Sequence, residues 1–214
     1  REAMTEESED YDIALIEGSI TRPQDEERLK KIRENADILV ALGACATIGG
    51  VNRIKNNFDL DDVKRYVYGD AAQMPHLNTA RTKAACEVVN VDYYVHQCPM
   101  NKDEFAYIIR CLALGKEPVV PDYPVCVECK ARGTVCRYEY GEICVGVVTR
   151  AGCGAPCPSE GLWCFGCRGL APDNNVPAAM EVMEEYDKSM DDLKEKLILF
   201  NSETEYTEEE PADG

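Results

Sequence analysis

The stretch Asp37-Ile-Leu-Val-Ala-Leu-Gly-Ala-Cys-Ala-Thr-Ile-Gly-Gly50 joins an apolar run of strand length to a glycine-bounded turn that carries a cysteine. An earlier apolar run, 12–17, predicts a buried strand that ends in Gly-Ser. Between the two runs, Thr21 supplies an N-cap and Pro23 an early helical proline, followed by a polar helix to about residue 35. Strand, helix and strand at this spacing predict an α/β fold with a parallel sheet and helices on its faces.

A third run, 91–95, predicts another strand, and it leads into Cys98-Pro99 much as the second strand leads into Cys45. In an open parallel sheet the carboxyl ends of the strands share one edge, where ligands collect. We therefore expect Cys45 and Cys98 to converge, although two thiolates do not complete a four-thiolate site. Glu17 ends the first strand at the same edge, where it is either a proton relay or a polar strand cap.

Eight of the twelve cysteines fall within one 42-residue stretch, in two groups of nearly mirrored spacing. The first group is Cys126-x2-Cys129-x6-Cys136-x7-Cys144, and the second is Cys153-x3-Cys157-x6-Cys164-x2-Cys167. Eight thiols are enough for two four-thiolate metal sites. Because no secretory signal opens the chain, we expect reduced thiols in the cytoplasm rather than disulfides. The remaining Cys86 and Cys111 are predicted to be small buried side chains.

The choice of metal is not settled by a four-cysteine spacing, because tetrahedral zinc also takes four thiolates. Iron–sulfur is favoured by two features: proline follows both Cys157 and Cys98, and glycines along the cysteine-rich stretch let backbone N–H groups approach cluster sulfurs. Zinc remains the main alternative, ahead of disulfides. The pairing of the eight cysteines also stays open, because in two-cluster ferredoxins one cysteine of each run serves the other cluster.

The charge of the chain excludes some classes of partner. The formal net charge is −17, which argues against nucleic acid, whose phosphates need a basic face. No apolar run approaches the roughly 20 residues that cross a bilayer. The cysteine-rich stretch differs, with five bases against four acids over 126–170. Nearby cations stabilise a negatively charged cluster, so Arg150 and Arg168 are candidates to raise its potential.

The chain falls into four predicted segments. A sheet domain occupies 1–120, and a proline-rich linker at 117–124 leads to the cysteine-rich domain, 121–172. One continuous apolar helical face predicts a C-terminal helix over 173–200, followed by an acidic tail, 201–214. This helix either packs on its own domain or docks on a partner subunit.

Together these motifs resemble the small, delta- or gamma-type subunits of cytosolic, group 3-like multisubunit [NiFe] hydrogenases. Such hydrogenases include sulfhydrogenases and NAD(P)-, deazaflavin- or heterodisulfide-linked enzymes. The resemblance runs from about residue 12 to residue 169. It rests on six segments: Asp12-Ile-Ala-Leu-Ile-Glu-Gly-Ser-Ile20, Ala41-Leu-Gly-Ala-Cys-Ala-Thr-Ile-Gly-Gly50, Gln97-Cys-Pro99, Pro124-Val-Cys-Val-Glu-Cys-Lys130, Cys144-Val-Gly-Val-Val-Thr-Arg-Ala-Gly-Cys153 and Cys164-Phe-Gly-Cys-Arg-Gly169.

The resemblance implies a flavodoxin-like domain with a proximal [4Fe–4S] cluster, followed by a small ferredoxin-like domain with two more. It implies a partner large subunit that holds the nickel–iron site and splits H2, and a flavin- or iron–sulfur-containing partner that exchanges the electrons. In the family, Cys45 and Cys98 would supply two proximal ligands, and a CxxC motif after an earlier strand would supply the others. That motif is absent here. Either an upstream segment carries it or the proximal cluster has been lost, and the persistence of both cysteines favours the former.

Two other functions compete with this interpretation. The chain is alternatively an iron–sulfur electron-transfer subunit of another oxidoreductase, such as a quinone reductase-like, formate-oxidising or CO-oxidising complex. The Cys45 and Cys98 motifs are shared with the quinone reductase cluster subunit, whereas the dense cysteine-rich stretch favours hydrogenase. A zinc-stabilised interaction protein without a redox role is the second alternative.

Overall fold

The computed structural model describes residues 10–69, 78–172 and 176–203. The chain divides into two units, Arg1–Phe105 and Ala106–Gly214. The division falls within helix α4 (Lys102–Ala113), whereas the sequence predicts a boundary in the proline-rich linker at 117–124.

The first unit is organised around a parallel sheet. Within the described residues its strands are β1 (Tyr11–Glu17), β2 (Ala36–Leu42) and β3 (Tyr93–Val95), in the order β1-β2-β3. All pairs are parallel, and the register places Glu17 beside Leu42 and Leu42 beside Val95. The three strands therefore end at one level, as the predicted parallel sheet requires.

Three helices connect and cover these strands: α1 (Pro23–Glu34), α2 (Gly43–Ile48) and α3 (Leu60–Tyr68). Pro23 lies in the first turn of α1 as predicted, but the N-cap position belongs to Arg22 and has no side-chain cap, so the predicted Thr21 cap was wrong. Residues 39–41 of β2 are fully buried. The sheet thus has apolar side chains on both faces at its central strand.

The second unit has little regular sheet among its described residues and relies on short helices. After α4 come α5 (Val125–Ala131), α6 (Pro156–Ser159), α7 (Val176–Glu185) and α8 (Met190–Asn201). Residues 149–151 lie between two other segments, because the amide of Ala151 donates to the Tyr123 carbonyl (2.8 Å) and that of Arg150 to the Gly169 carbonyl (3.0 Å). These bonds bring the two cysteine groups side by side.

The C-terminal segment corrects one prediction, because the single helix predicted over 173–200 is two helices, α7 and α8. The chain turns between them at Asp187, which has a φ of 53°. Ser189 then starts α8: its hydroxyl accepts the amide of Asp192 (3.1 Å), and that aspartate accepts the Ser189 amide (2.9 Å). This reciprocal capping restarts the helix in a new direction.

The apolar face of both helices packs on their own unit. Met183 of α7 and Leu193 and Leu197 of α8 are buried in one core with Val145 and Cys144. Of the two interpretations of this face, packing on its own domain is therefore confirmed. In the described parts of the chain, no helix combines the length and apolar character that a bilayer crossing needs.

Candidate metal centre

The carboxyl edge of the sheet brings together the three residues that the sequence places there. Glu17 is the last residue of β1, Cys45 lies in the first turn of α2 directly after β2, and Cys98 follows β3. Burial raises the pKa of the Cys45 thiol, and the negative charges of Cys98 and Glu17 raise it further. The two cysteines therefore lie near each other and near the Glu17 carboxylate.

The surroundings of Cys45 are shaped by the turn that follows it. Gly50 has a φ of +58°, and an added Cβ would lie 3.1 Å from the Cys45 Sγ, so this position needs glycine. The Asn52 side-chain nitrogen lies 2.9 Å from the Ser19 hydroxyl and 3.9 Å from the Cys45 Sγ. Sequence reasoning missed Asn52, since nothing in its local pattern points to a thiol.

The first cysteine group surrounds the start of the second unit. Cys126 and Cys129 lie one turn apart on α5. Burial raises the pKa of Cys126 to about 12, and the charges of Cys144, Cys136 and Cys129 contribute in that order. All four members of the group therefore interact, although Cys136 is exposed and Cys144 is buried.

The second cysteine group is related in the same way over three of its four members. Burial raises the pKa of Cys153 to about 11, with a smaller contribution from the charge of Cys167. Burial also raises the pKa of Cys164, followed by the charges of Cys144 and Cys167. The pKa of Cys157, on α6, rises through burial.

The two groups touch through a backbone hydrogen bond to sulfur. The amide of Cys164 donates to the Cys144 Sγ at 3.1 Å, and both residues are buried. N–H donors of this kind tune the potential of iron–sulfur clusters. A buried amide aimed at a thiolate is thus already in place at the junction of the groups.

The donor set fits a thiolate-bound cluster. Four sulfurs around a single zinc ion would each lie about 2.3 Å from the metal. Over residues 10–69, 78–172 and 176–203, no three His, Cys, Asp or Glu side chains converge closely enough to hold one ion. What the second unit offers is eight cysteines in two groups, mostly with raised pKa values, and a metal would deprotonate such thiols on binding.

One of the two predicted tuning cations is deeply buried. Arg168 is 1% exposed, its Nε donates to the Ala151 carbonyl at 2.7 Å, and its charge lowers the pKa of Cys153. Arg150 is half-buried and donates to the Pro121 carbonyl at 3.3 Å. Sequence reasoning also passed over Glu128, whose carboxylate binds the loop around Cys153. An acid inside a Cys-x-Glu-Cys motif was the available signal.

Comparison with known proteins places the chain in a family. Residues 1–112 match the family "NADH ubiquinone oxidoreductase, 20 Kd subunit". Over 178 residues the chain is 40% identical to the "Sulfhydrogenase 2 subunit delta" of Pyrococcus furiosus, covering 83% of this chain and 73% of that one. Over 230 residues it is 30% identical to a subunit of the F420-non-reducing hydrogenase vhu of Methanococcus voltae, covering 93% and 80%.

A solved structure agrees with these sequence relatives. The crystal structure of NAD+-reducing [NiFe]-hydrogenase in the H2-reduced state has a chain that matches with a TM-score of 0.51 and 30% identity. The match covers 56% of this chain and 75% of that one, and it confirms the predicted α/β class. The chain therefore belongs to the family of the NADH ubiquinone oxidoreductase 20 Kd subunit, and most of its length is shared with hydrogenase subunits.

Proposed function

We propose that this chain is the electron-transfer small subunit of a [NiFe] hydrogenase. One observation carries the proposal: two adjoining groups of four cysteines lie in a chain that is 40% identical to a sulfhydrogenase delta subunit. Such a chain conducts electrons and leaves the cleavage of H2 to a partner large subunit that holds the nickel–iron site. A partner that contains flavin or iron–sulfur centres takes the electrons up or, in the reverse direction, donates them.

The second unit would hold two [4Fe–4S] clusters, one for each cysteine group. The mutual effects on pKa support Cys126, Cys129, Cys136 and Cys144 as one ligand set, and Cys153, Cys157, Cys164 and Cys167 as the other. When bound, the clusters supply one-electron steps between the partners. The hydrogen bond from the Cys164 amide to the Cys144 sulfur supports a short path between the two sets.

The sheet edge would hold the proximal cluster. Cys45 and Cys98 supply two of its four ligands, and the other two belong to residues outside this sequence. The exposed Glu17 carboxylate at the same edge would relay protons towards the large subunit. The hydrogenase relatives support a complex in the cytoplasm.

Membership in the 20 Kd subunit family favours a second candidate, an electron-transfer subunit of a quinone reductase-like complex. The matched residues, 1–112, include Cys45 and Cys98. They end before Cys126, however, whereas the hydrogenase relatives match over more than four fifths of the chain. The cysteine-rich second unit therefore favours the hydrogenase.

The test is reduction by H2 in the complex that contains this chain. The complex is purified without oxygen and exposed to H2 or to argon, and the iron–sulfur signals are followed by electron paramagnetic resonance. We expect signals of reduced clusters under H2 alone, and a variant with Cys129→Ser should lose one of them. Clusters that are reduced by NADH or formate but never by H2 would replace the hydrogenase with the second candidate.

A further inference from the structure

The Glu128 side chain connects the two cysteine groups. It lies on α5 between Cys126 and Cys129, yet both carboxylate oxygens face the loop of the other group. One oxygen accepts the amide of Gly152 at 2.9 Å, and the other accepts the amide of Gly154 at 2.8 Å. These amides flank Cys153, whose Sγ lies 3.9 Å from the second oxygen. Hydrogen bonds to a charged acceptor are among the stronger ones in proteins.

The same loop is held by an opposite charge. The buried Arg168 guanidinium donates to the carbonyl of Ala151. It also packs against Gly152, where an added Cβ would lie 2.3 Å from one of its nitrogens. Residues 151–154 thus give N–H groups to a carboxylate and a carbonyl to a guanidinium. This arrangement fixes the backbone around Cys153 through charged partners rather than through regular secondary structure.

We propose that Glu128 is a positioning residue for the second cysteine group: it fixes the Cys153 loop from the helix of the first group, and its charge opposes reduction of the cluster that Cys153 binds. The inference rests on the proposed function, because it concerns residues that would hold a cluster. A carboxylate close to a ligand sulfur disfavours the more negative, reduced state. Its effect on the Cys153 pKa has the same sign. Arg168, as a cation, acts in the opposite direction.

The first test measures the loop itself, on the full chain with its bound metal. Hydrogen exchange at the amides of Gly152 and Gly154 is followed by mass spectrometry in Glu128→Ala and in the unaltered chain. Loss of a hydrogen bond to a charged group should accelerate exchange by about ten-fold or more. The matched control is Glu160→Gln, which removes one charge from an exposed side chain three residues after Cys157. Exchange in Glu128→Ala no faster than in this control would overturn the proposal.

The second test measures the charge. The variant Glu128→Gln keeps one acceptor but loses the negative charge, and Glu128→Asp keeps the charge. We expect Glu128→Gln to shift the reduction equilibrium of one cluster by about ten-fold towards the reduced form, as a partly screened charge at close range would. Glu128→Asp should restore most of this shift, and Glu160→Gln should move the equilibrium less. Equal midpoints in Glu128→Gln and the unaltered chain would overturn the electrostatic role.

The two measurements separate this inference from the proposed function. Fast exchange in Glu128→Ala in a chain that holds zinc would end the proposed function and, with it, the electrostatic role, while the loop contact would stand. Intact iron–sulfur clusters with unchanged exchange would end the positioning role and leave the proposed function in place.

Discussion

Truncation of Leu193 to alanine tests whether the C-terminal helices are part of the cysteine-rich unit. Leu193 is fully buried on α8 and packs in the core that contains Val145 and Cys144. Replacing a buried leucine with alanine costs about 3–5 kcal/mol, the sum of lost burial and a residual cavity. For a chain of this size, 1 kcal/mol lowers the unfolding midpoint by about 2–4 °C. Leu193→Ala should therefore lower it by at least about 6 °C.

The assay is thermal unfolding of the full chain under anaerobic conditions, with iron release recorded in the same scan. Because α8 packs near Cys144, iron should be lost at the lower temperature in Leu193→Ala. The matched control is Ile198→Ala on the same helix, where the side chain is 43% exposed, and its midpoint should change by no more than about 2 °C. If both variants unfold at the temperature of the unaltered chain, α8 does not stabilise this unit and the reasoning fails.

Two further predictions concern a ligand and a buried carboxylate. Cys136→Ser should remove one cluster's worth of iron and labile sulfide, whereas Cys86→Ser, outside both groups, should leave them unchanged; equal metal content in the two variants would contradict the ligand assignment. Burial opposes ionisation of Asp92, but hydrogen bonds from the Leu39 amide and the Arg33 guanidinium outweigh it and hold its pKa below the ordinary value. Stability from this carboxylate is then present above its ordinary pKa and lost as the pH falls through the lowered value. Asp92→Asn should flatten that acid dependence, as measured by unfolding midpoints across acidic pH, and an unchanged slope would count against it.

The sheet and its functional edge could be predicted because both follow from local pattern and topology. Apolar runs of strand length with a helix between them leave few arrangements other than a parallel sheet. Once the strands are parallel, their ends meet, and Cys45 and Cys98 come together. No long-range side-chain contact had to be guessed for this step.

The break in the C-terminal segment was missed because the apolar periodicity continues across it. The turn at Asp187 and the capping by Ser189 and Asp192 interrupt the helix without interrupting the apolar pattern. A serine followed three residues later by an acid is a capping signal, but it was outweighed by the periodicity. Local polar chemistry decided the backbone there.

The contacts within the cysteine-rich unit could not be predicted from spacing. Spacing identifies the eight cysteines, but the contact between Cys144 and Cys164 depends on how two irregular loops fold together. The same holds for Glu128, whose partners lie 24 and 26 residues further along the chain. Irregular backbone has no period from which such contacts can be derived.

The central claim is that the cysteines between Cys126 and Cys167 bind two iron–sulfur clusters. The most direct measurement is the content of iron, acid-labile sulfide and zinc per molecule of this subunit, isolated without oxygen. The account predicts about eight iron and eight sulfide from these two groups, as two [4Fe–4S] clusters require. Stoichiometric zinc with no labile sulfide, or cysteines joined in disulfides, would contradict it.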